Sequence, residues 1–213
     1  MITSHEQLRQ LYAQPAERAL LKQQTELDRY CLRFIALSPF VMLATAGIGG
    51  TGDTLLDASP RGGQPGFVKA PDVHTLLIPD AGGNNRLDSL SNLLDDPRIG
   101  LLFMVPGFDE TLRVNGKAQL RDEPHYTALF ASDHFRPKLV IEVRVQEAYL
   151  HCAKALMRSR LWSAESQVPR NQMPSLNQMV QSQIGMTSEP ESQELMVARY
   201  SALIAAEQSR RNG

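Results

Sequence analysis

The sequence contains few of the residues on which disulfide-linked or metal-binding proteins depend. Its only cysteines are Cys31 and Cys152, which excludes a disulfide framework and a Cys-x-x-Cys metal or redox pair. The five histidines are scattered, with none four residues from another, so we expect no protein-built metal site. No apolar run reaches membrane-spanning length, and no charged-then-apolar signal segment opens the chain. These absences predict a cytoplasmic protein without a membrane partner.

An excess of charge of one sign is also missing. The chain has 22 Lys and Arg residues against 23 Asp and Glu residues, a formal net charge of −1 at pH 7. Nucleic-acid-binding domains normally present a basic face, so we expect no nucleic-acid partner. The length of 213 residues is enough for one substantial hydrophobic core with a helical appendage.

The hydrophobic pattern divides the chain into three parts. Residues 1–38 have a helical pattern that begins with a capping box at Ser4 and Gln7, and they are expected to pack on the rest. Residues 39–162 contain six or seven short strands and one or two helices, which favours an antiparallel barrel over a parallel sheet. Residues 163–213 are rich in Ser, Gln, Pro and Met and become helical, packing either on their own core or on a partner subunit. The expected strands lie near residues 41–46, 54–58, 66–69, 75–78, 99–105, 111–115 and 139–145.

Residues 75–89 carry the strongest local signal in the chain. An apolar strand leads into Gly82 and Gly83, then into Asn-Asn-Arg, and then into a helix with leucines on one stripe at 87, 90, 93 and 94. Glycines allow the backbone to approach a ligand closely, and the start of a helix offers unpaired N–H groups and a positive dipole end. With the charged donors of Arg86, this pattern predicts a phosphate site.

A second basic turn lies about one strand earlier, at residues 57–63. Arg61 stands where a strand meets a glycine turn, and Ser59 supplies a hydroxyl nearby. Alone, such a segment is more often a solvated turn. If the strands at 54–58 and 75–78 are neighbours, the two turns would form a two-sided phosphate clamp.

Residues 47–52 spell a literal G-x-G-x-x-G directly after a strand. A dinucleotide fingerprint requires a helix to follow, so that the pyrophosphate meets the helix N-terminus. The residues that follow, 53–58, have the pattern of another strand. We therefore interpret this segment as a hairpin loop.

Several segments together resemble one known family. Ser-Pro-Arg-Gly at 59–62, the string at 79–89, the apolar strand at 99–103 and Glu-Thr-Leu-Arg-Val-Asn-Gly at 110–116 are similar to the pyridoxamine 5′-phosphate oxidase-like, FMN-binding split-barrel family. The resemblance covers roughly residues 28–162. It implies a mainly β fold, a six-stranded antiparallel split β-barrel with N-terminal helices and a C-terminal helical tail. It also implies a homodimer with FMN at the subunit interface, and an oxidoreductase acting on a small substrate or NAD(P)H.

The resemblance also implies which residues bind the cofactor. The segments that hold the FMN phosphate are matched by Arg61, with Ser59 beside it, and by Asn84, Asn85 and Arg86. The stretch along the isoalloxazine edge is occupied by Ile78, Pro79 and Asp80, and Thr111 stands where relatives often carry a glutamine that contacts the flavin. A segment that closes over the flavin from the opposite subunit is matched by His151 and Lys154. A solvated helix start with a structural histidine is the alternative for the last two residues. The sequence identifies no catalytic acid or base.

Two other functions are compatible with the same segments. One is a split barrel that binds a deazaflavin or haem in place of FMN. The other is a non-catalytic flavin-binding or carrier protein. The sequence does not name the substrate.

Overall fold

The computed structural model describes residues 1–48, 54–131 and 136–209. Within these ranges, strands form one antiparallel sheet with the order β2-β1-β5-β6-β7-β4-β3. The strands are β1 (Phe40–Ile48), β2 (Thr54–Gly62), β3 (Lys69–Asp72), β4 (Thr75–Pro79), β5 (Arg98–Met104), β6 (Thr111–Arg121) and β7 (Val140–His151). The expected mainly β, antiparallel fold with helical additions is confirmed. The described sheet has seven strands, within the six or seven that the hydrophobic pattern predicts and one more than the resemblance implies, and β3 is its short edge strand.

Strand β3 begins later than the segment expected near 66–69. The reason is a turn just before it, in which Phe67 N donates to Gln64 O at 2.9 Å. Gly66 has a φ of 82° in this turn, a conformation that glycine adopts without a Cβ clash.

Helices precede, interrupt and follow the sheet. In the described residues they are α1 (His5–Leu11), α2 (Glu17–Leu21), α3 (Arg29–Leu37), α4 (Asp88–Asp95), α5 (Pro124–Ala128), α6 (Lys154–Ser159), α7 (Leu176–Ile184) and α8 (Gln193–Ser209). The predicted cap of α1 is confirmed, since the side chain of Ser4 accepts from Gln7 N at 3.2 Å. None of these helices has both the length and the apolar character needed to cross a membrane. The division of the chain at residues 38 and 162 stays a prediction.

The larger core cluster lies on one face of the sheet, and a smaller cluster of Leu77, Phe130 and Val140 lies on the other. Alternate residues of β1 point into the larger cluster, with Val41 and Leu43 fully buried, as the period of a half-buried strand requires. Helix α3 covers the same face with Cys31, Phe34 and Ile35. Burial raises the pKa of the Cys31 thiol to about 12, which gives this cysteine a structural role.

The sheet is rolled, so that strands far apart in its hydrogen-bonded order come together. Strand β2 is at one edge and β4 lies next to the opposite edge. Nevertheless, the positive charge of Arg61 on β2 acts on Asp80, the residue that follows β4. This approach of the two edges is the split of the barrel, and it creates the first cluster described below.

The glycine-rich segment at 47–52 joins β1 to β2. Ile48 pairs with Thr54, so a strand follows the segment, as predicted. The expected loop itself falls largely on residues 49–53, which lie outside the described residues. Gly47 has a packing role, because a Cβ at this position would lie 2.0 Å from Asn92 Oδ1 on α4. The close approach of α4 to β1 therefore depends on glycine.

The N-terminal segment continues the sheet beside β7. Past the first residue of β4, Gln24 and Ala148 exchange two backbone hydrogen bonds, at 2.9 and 2.8 Å. Val145 N donates to His74 O at 2.8 Å, and Lys22 Nζ donates to Leu150 O at 2.9 Å. These contacts satisfy backbone groups of β7 that no neighbouring strand reaches.

Candidate functional site

Three polar residues of β2 lie on the face of the sheet that carries the core. Asp57, Ser59 and Arg61 pair with Thr45, Leu43 and Val41, whose side chains are buried. Paired residues share a face, so the β2 side chains point inward, yet they lie on an edge strand and are only half-buried. Alternation along the strand thus places a carboxylate, a hydroxyl and a guanidinium at the open edge of the barrel.

The guanidinium of Arg61 is held in place by its own strand. Its Nη1 atom donates to Ser59 Oγ at 2.5 Å and to Pro60 O at 3.0 Å. A guanidinium carries five N–H donors in a planar fork, so the same group can also bind an anion through further donors. Ser59 therefore orients Arg61 rather than neutralising it.

Asp80 faces this arginine from the other side of the split. Its backbone N–H donates to Leu139 O at 3.0 Å, which fixes the chain as it leaves β4. Burial raises the pKa of the Asp80 carboxyl, and the positive charges of Arg61 and Lys138 oppose this rise without cancelling it. Asp80 thus supplies the negative charge that interacts with Arg61 and Lys138.

The turn at residues 82–86 differs from the expected helix start. Helix α4 begins at Asp88, because Asn85 and Leu87 have φ values of 60° and 61°, in the left-handed region. Asn84 Oδ1 accepts from Arg86 N at 3.0 Å, which makes an Asx turn here. The helix predicted after Arg86 is present, but it begins one residue later than expected, because Leu87 precedes it in the left-handed conformation.

The apolar stripe expected on this helix is also only partly correct. Leu90 and Leu93 are buried, but Leu87 and Leu94 are exposed. Leu87 precedes the helix in a left-handed conformation, so it does not share the direction of the helical residues.

Arg86 and Asp88 form an exposed ion pair at this turn. Arg86 Nε lies 2.8 Å from Asp88 Oδ2, and the arginine side chain is 72% exposed. This interaction raises the pKa of the Arg86 guanidinium, with a smaller contribution from the charge of Asp57. Arg86 is consequently on the same side of the molecule as β2, but in a solvated position.

Helix α4 is attached to β2 by a buried hydrogen bond. Ser89 Oγ, on a side chain that is 3% exposed overall, donates to Asp57 Oδ2 at 2.6 Å. This bond links the turn at 82–86 to the strand that carries Arg61. We call the group of Asp57, Ser59, Arg61, Asp80, Arg86, Asp88 and Ser89 the β2–α4 cluster.

Ile78 and Pro79 are near this cluster but point to opposite faces of the sheet, Ile78 into the barrel core and Pro79 toward the side of Leu77 and Val140. Both side chains are buried, and both residues pair with β7, at Ile141 and Val140. They can contact a ligand only through their backbone. The predicted roles of Ile78, Pro79, Asn84 and Asn85 in binding stay predictions.

Thr111, His151 and Lys154 lie at the far end of β7. Thr111 is buried and pairs with His151, whereas His151 and Lys154 are exposed. The ring of Tyr149 lies 6.1 Å from that of His151. Lys22 and Arg113 lie over Tyr149, with Arg113 Nη1 donating to its hydroxyl at 3.1 Å. These residues form a basic surface that we call the β7-end cluster.

Within the described residues, no hydrogen bond or ion pair joins the β2–α4 cluster to the β7-end cluster. Arg61 is level with Val41, Phe103, Leu112 and Leu150 through successive strand pairs. Four strand spacings separate β2 from β7 in the sheet order. This is about 19 Å along the sheet at ~4.8 Å per strand.

The sequence patterns missed three residues of this region. Asp57 and Ser89 hold the helix to the strand, and Lys138 acts on Asp80. The alternation of β2 could have identified Asp57, since it shares a face with Ser59 and Arg61. No sequence pattern links Lys138 to Asp80, because they meet only through the pairing of β4 with β7.

Among the described residues, no group of three or more His, Cys, Asp or Glu side chains could hold a metal ion.

A family profile decides the classification of the chain. The profile described as pyridoxamine 5′-phosphate oxidase matches residues 27–152, more than half of the sequence. The chain belongs to this family. The matched segment contains the whole β2–α4 cluster and reaches His151 in the β7-end cluster, whereas helices α6, α7 and α8, with Lys154 at the start of α6, fall outside it.

Solved structures give weaker comparisons for this member of the pyridoxamine 5′-phosphate oxidase family. HupZ of Group A Streptococcus is 16% identical over 58% of this chain and 92% of its own, with a TM-score of 0.43. An FMN-binding protein from Syntrophomonas wolfei is 12% identical over 69% and 92%, with a TM-score of 0.41. The FAD binding protein from Mycobacterium smegmatis is 12% identical over 60% and 97%, with a TM-score of 0.39. At these scores the likenesses add nothing to the family assignment. No curated protein matches the chain.

Proposed function

We propose that this chain is an FMN-binding flavoprotein, an oxidoreductase of the pyridoxamine 5′-phosphate oxidase family that acts on a small substrate. The observation that carries the proposal is the Ser59–Arg61 pair on the inner face of β2. A half-buried guanidinium that a neighbouring hydroxyl holds in position is suited to a phosphate monoester. It lies within the family match, beside a glycine turn that lets a ligand approach the backbone.

Five residues of the β2–α4 cluster have assigned tasks in this proposal. Arg61 binds the phosphate, Ser59 orients the guanidinium, and Arg86 adds a solvated positive charge at the entrance. Ser89 and Asp57 hold α4 against β2 and so fix the distance between the turn and the strand. FMN, when bound, supplies hydride transfer between the substrate or NAD(P)H and an acceptor.

In this proposal the functional unit is a homodimer that binds FMN at the subunit interface. Support comes from the position of His151 and Lys154 at and just beyond the end of β7, four strands from Arg61 in the order of the sheet, where they can approach the cofactor of a second chain. A shallow groove of about 380 Å³ that Ala46, Leu56 and Gly100 help to line offers an apolar surface for such a contact. Leu56, 86% exposed, borders it. The basic β7-end cluster would then supply the positive charge near the flavin ring.

The bound ligand of the purified protein tests the cofactor assignment directly. We expect native mass spectrometry to release FMN from a dimer, and the absorption spectrum to have oxidised-flavin bands. A Soret band would identify the ligand as haem, and a deazaflavin mass would replace FMN within the same fold. The chain with both Arg61 and Arg86 replaced by alanine provides the negative control.

Reduction of the bound flavin separates an enzyme from a carrier. Anaerobic addition of NADPH or NADH to the flavin-loaded protein should bleach the flavin bands, and air should restore them. A flavin that stays oxidised with both nicotinamides and with a panel of small reduced substrates would support the non-catalytic carrier.

A further inference from the structure

The C-terminal helix α8 reaches Gly82, in the turn between Asp80 and Arg86 of the β2–α4 cluster. Its first part is fixed by Glu191, whose carboxylate accepts from Arg199 at 3.0 and 2.8 Å, and by the buried side chain of Met196. The helix has 17 residues and is therefore about 25 Å long at ~1.5 Å per residue. This length carries its end from the anchor at Glu191 to the turn.

Glu207 makes the contact at that end. A Cβ added to Gly82 would lie 2.7 Å from Glu207 Oε1 and 3.8 Å from its Cδ. Glu207 is half-buried, whereas residues 201–206 of the same helix are exposed. The side chain therefore docks on the turn, while the helix before it faces solvent.

The position of this carboxylate conflicts with phosphate binding. A carboxylate and a phosphate both present anionic oxygens, and two anions cannot share one small cationic site without strong repulsion. The cations of the region already face Asp80 and Asp88. An additional carboxylate at Gly82 thus opposes any phosphate that approaches the same turn.

We propose that the end of α8 is a displaceable lid, whose Glu207 carboxylate lies against the Gly82 turn and competes with the phosphate of the ligand. The lid rests on the proposed function, since it assumes that this turn takes the phosphate group. Ligand binding moves Glu207 away from the turn. In the protein without ligand, the end of α8 stays in contact with the turn. Gly82 permits the contact, because it leaves room for the carboxylate that an alanine Cβ would fill.

The test compares FMN and riboflavin, which lacks the phosphate, on the full-length chain freed of bound ligand in phosphate-free buffer. We expect Glu207→Gln to bind FMN about 3- to 5-fold more tightly than the unchanged chain, as removal of one solvated charge allows. Glu207→Lys should bind FMN more tightly still, and riboflavin affinity should stay the same in both variants. Glu189→Gln makes the same charge change at an exposed residue outside the helices and should leave both affinities unchanged.

Hydrogen exchange gives a second readout without any substitution. Addition of FMN, but not of riboflavin, should speed amide exchange in residues 200–209, because the tail loses its contact with the turn. Equal or weaker FMN affinity in Glu207→Gln, or slower tail exchange with FMN, would overturn the lid and leave the cofactor assignment intact. If no variant binds FMN at all, both the lid and the proposed function fail.

Discussion

The positive charge of Arg61 acts on the carboxyl of Asp80, although β2 and β4 are separated by four other strands in the order of the sheet. The guanidinium belongs to the edge strand β2, and the carboxylate follows β4, which lies next to the opposite edge strand β3. Their interaction requires the sheet to roll until its edges meet. Any ligand that enters between these edges therefore meets both charges at once.

The two arginines of the β2–α4 cluster should contribute unequally to FMN affinity. Arg61 is half-buried and held by Ser59, whereas Arg86 is 72% exposed and paired with Asp88. We expect Arg61→Ala to weaken FMN binding about 10- to 100-fold, as loss of a charged hydrogen bond does, and Arg86→Ala about 2- to 5-fold. Fluorescence titration measures both, with exposed Arg9→Ala on α1 as the charge-matched control. The order of effects is contradicted if Arg86→Ala is the more damaging change.

Ser89 should be important for the stability of the fold. Its buried hydroxyl donates to Asp57 Oδ2, so Ser89→Ala leaves a half-buried carboxylate without this donor. We expect a loss of about 1–3 kcal/mol in the free energy of unfolding, measured by urea denaturation. Ser91→Ala, at an exposed position on the same helix, should change stability by less than about 0.5 kcal/mol. Equal effects of the two changes would refute the role of the hydrogen bond.

Gly47 should tolerate no side chain. An alanine Cβ would lie 2.0 Å from Asn92 Oδ1 and 3.1 Å from Asn92 Cα, so α4 would have to move away from β1. We expect Gly47→Ala to cost about 1–3 kcal/mol of unfolding free energy. Gly83→Ala is the matched control, because nothing lies within 4 Å of its added Cβ and its φ is not positive. A Gly47→Ala protein as stable as the Gly83→Ala protein would contradict the packing account.

Asp80 should make stability depend on pH in a defined direction. Burial holds its pKa above the ordinary value of 3.8, so the folded state binds this proton more tightly than the unfolded state. The resulting contribution to the free energy of unfolding is fully present below the pKa of Asp80 in the unfolded chain. It is lost as the pH rises through the pKa of Asp80 in the folded protein. The asparagine of the Asp80→Asn variant cannot ionise. The unfolding free energy of this variant should therefore fall less than that of the unchanged chain over the same increase in pH.

Thermal unfolding at a series of pH values measures the difference between the two proteins. Asp122→Asn, at an exposed aspartate, serves as the control and should follow the profile of the unchanged chain. Parallel profiles for Asp80→Asn and the unchanged chain would show that burial does not shift this carboxyl.

Local patterns in the sequence were enough to predict most of the elements. The change of pattern at residue 41 and the glycine-rich turn after it predicted β1, and the spacing of Ser4 and Gln7 predicted the cap of α1. Each of these features depends on side chains within a few residues of one another. The grouping of Ser59 with Arg61 follows from the same strand period.

Features that depend on tertiary structure could not be predicted in this way. The meeting of Arg61 with Asp80 depends on the rolling of the sheet, which no short segment encodes. The left-handed φ of Leu87, a residue type that rarely adopts it, delayed the start of α4 to Asp88. The contact of Glu207 with Gly82 joins residues far apart in the sequence through the length of a single helix.

The hydrogen bonds between Gln24 and Ala148 have a consequence for the family-matched segment taken alone. A chain reduced to residues 27–152 would lose Lys22 and Gln24 and leave part of β7 with unpaired backbone N–H and C=O groups. Such a bare strand invites a second chain to pair with it, which leads to aggregation. The residues before the matched segment thus protect the protein from adhesive contacts between its own copies.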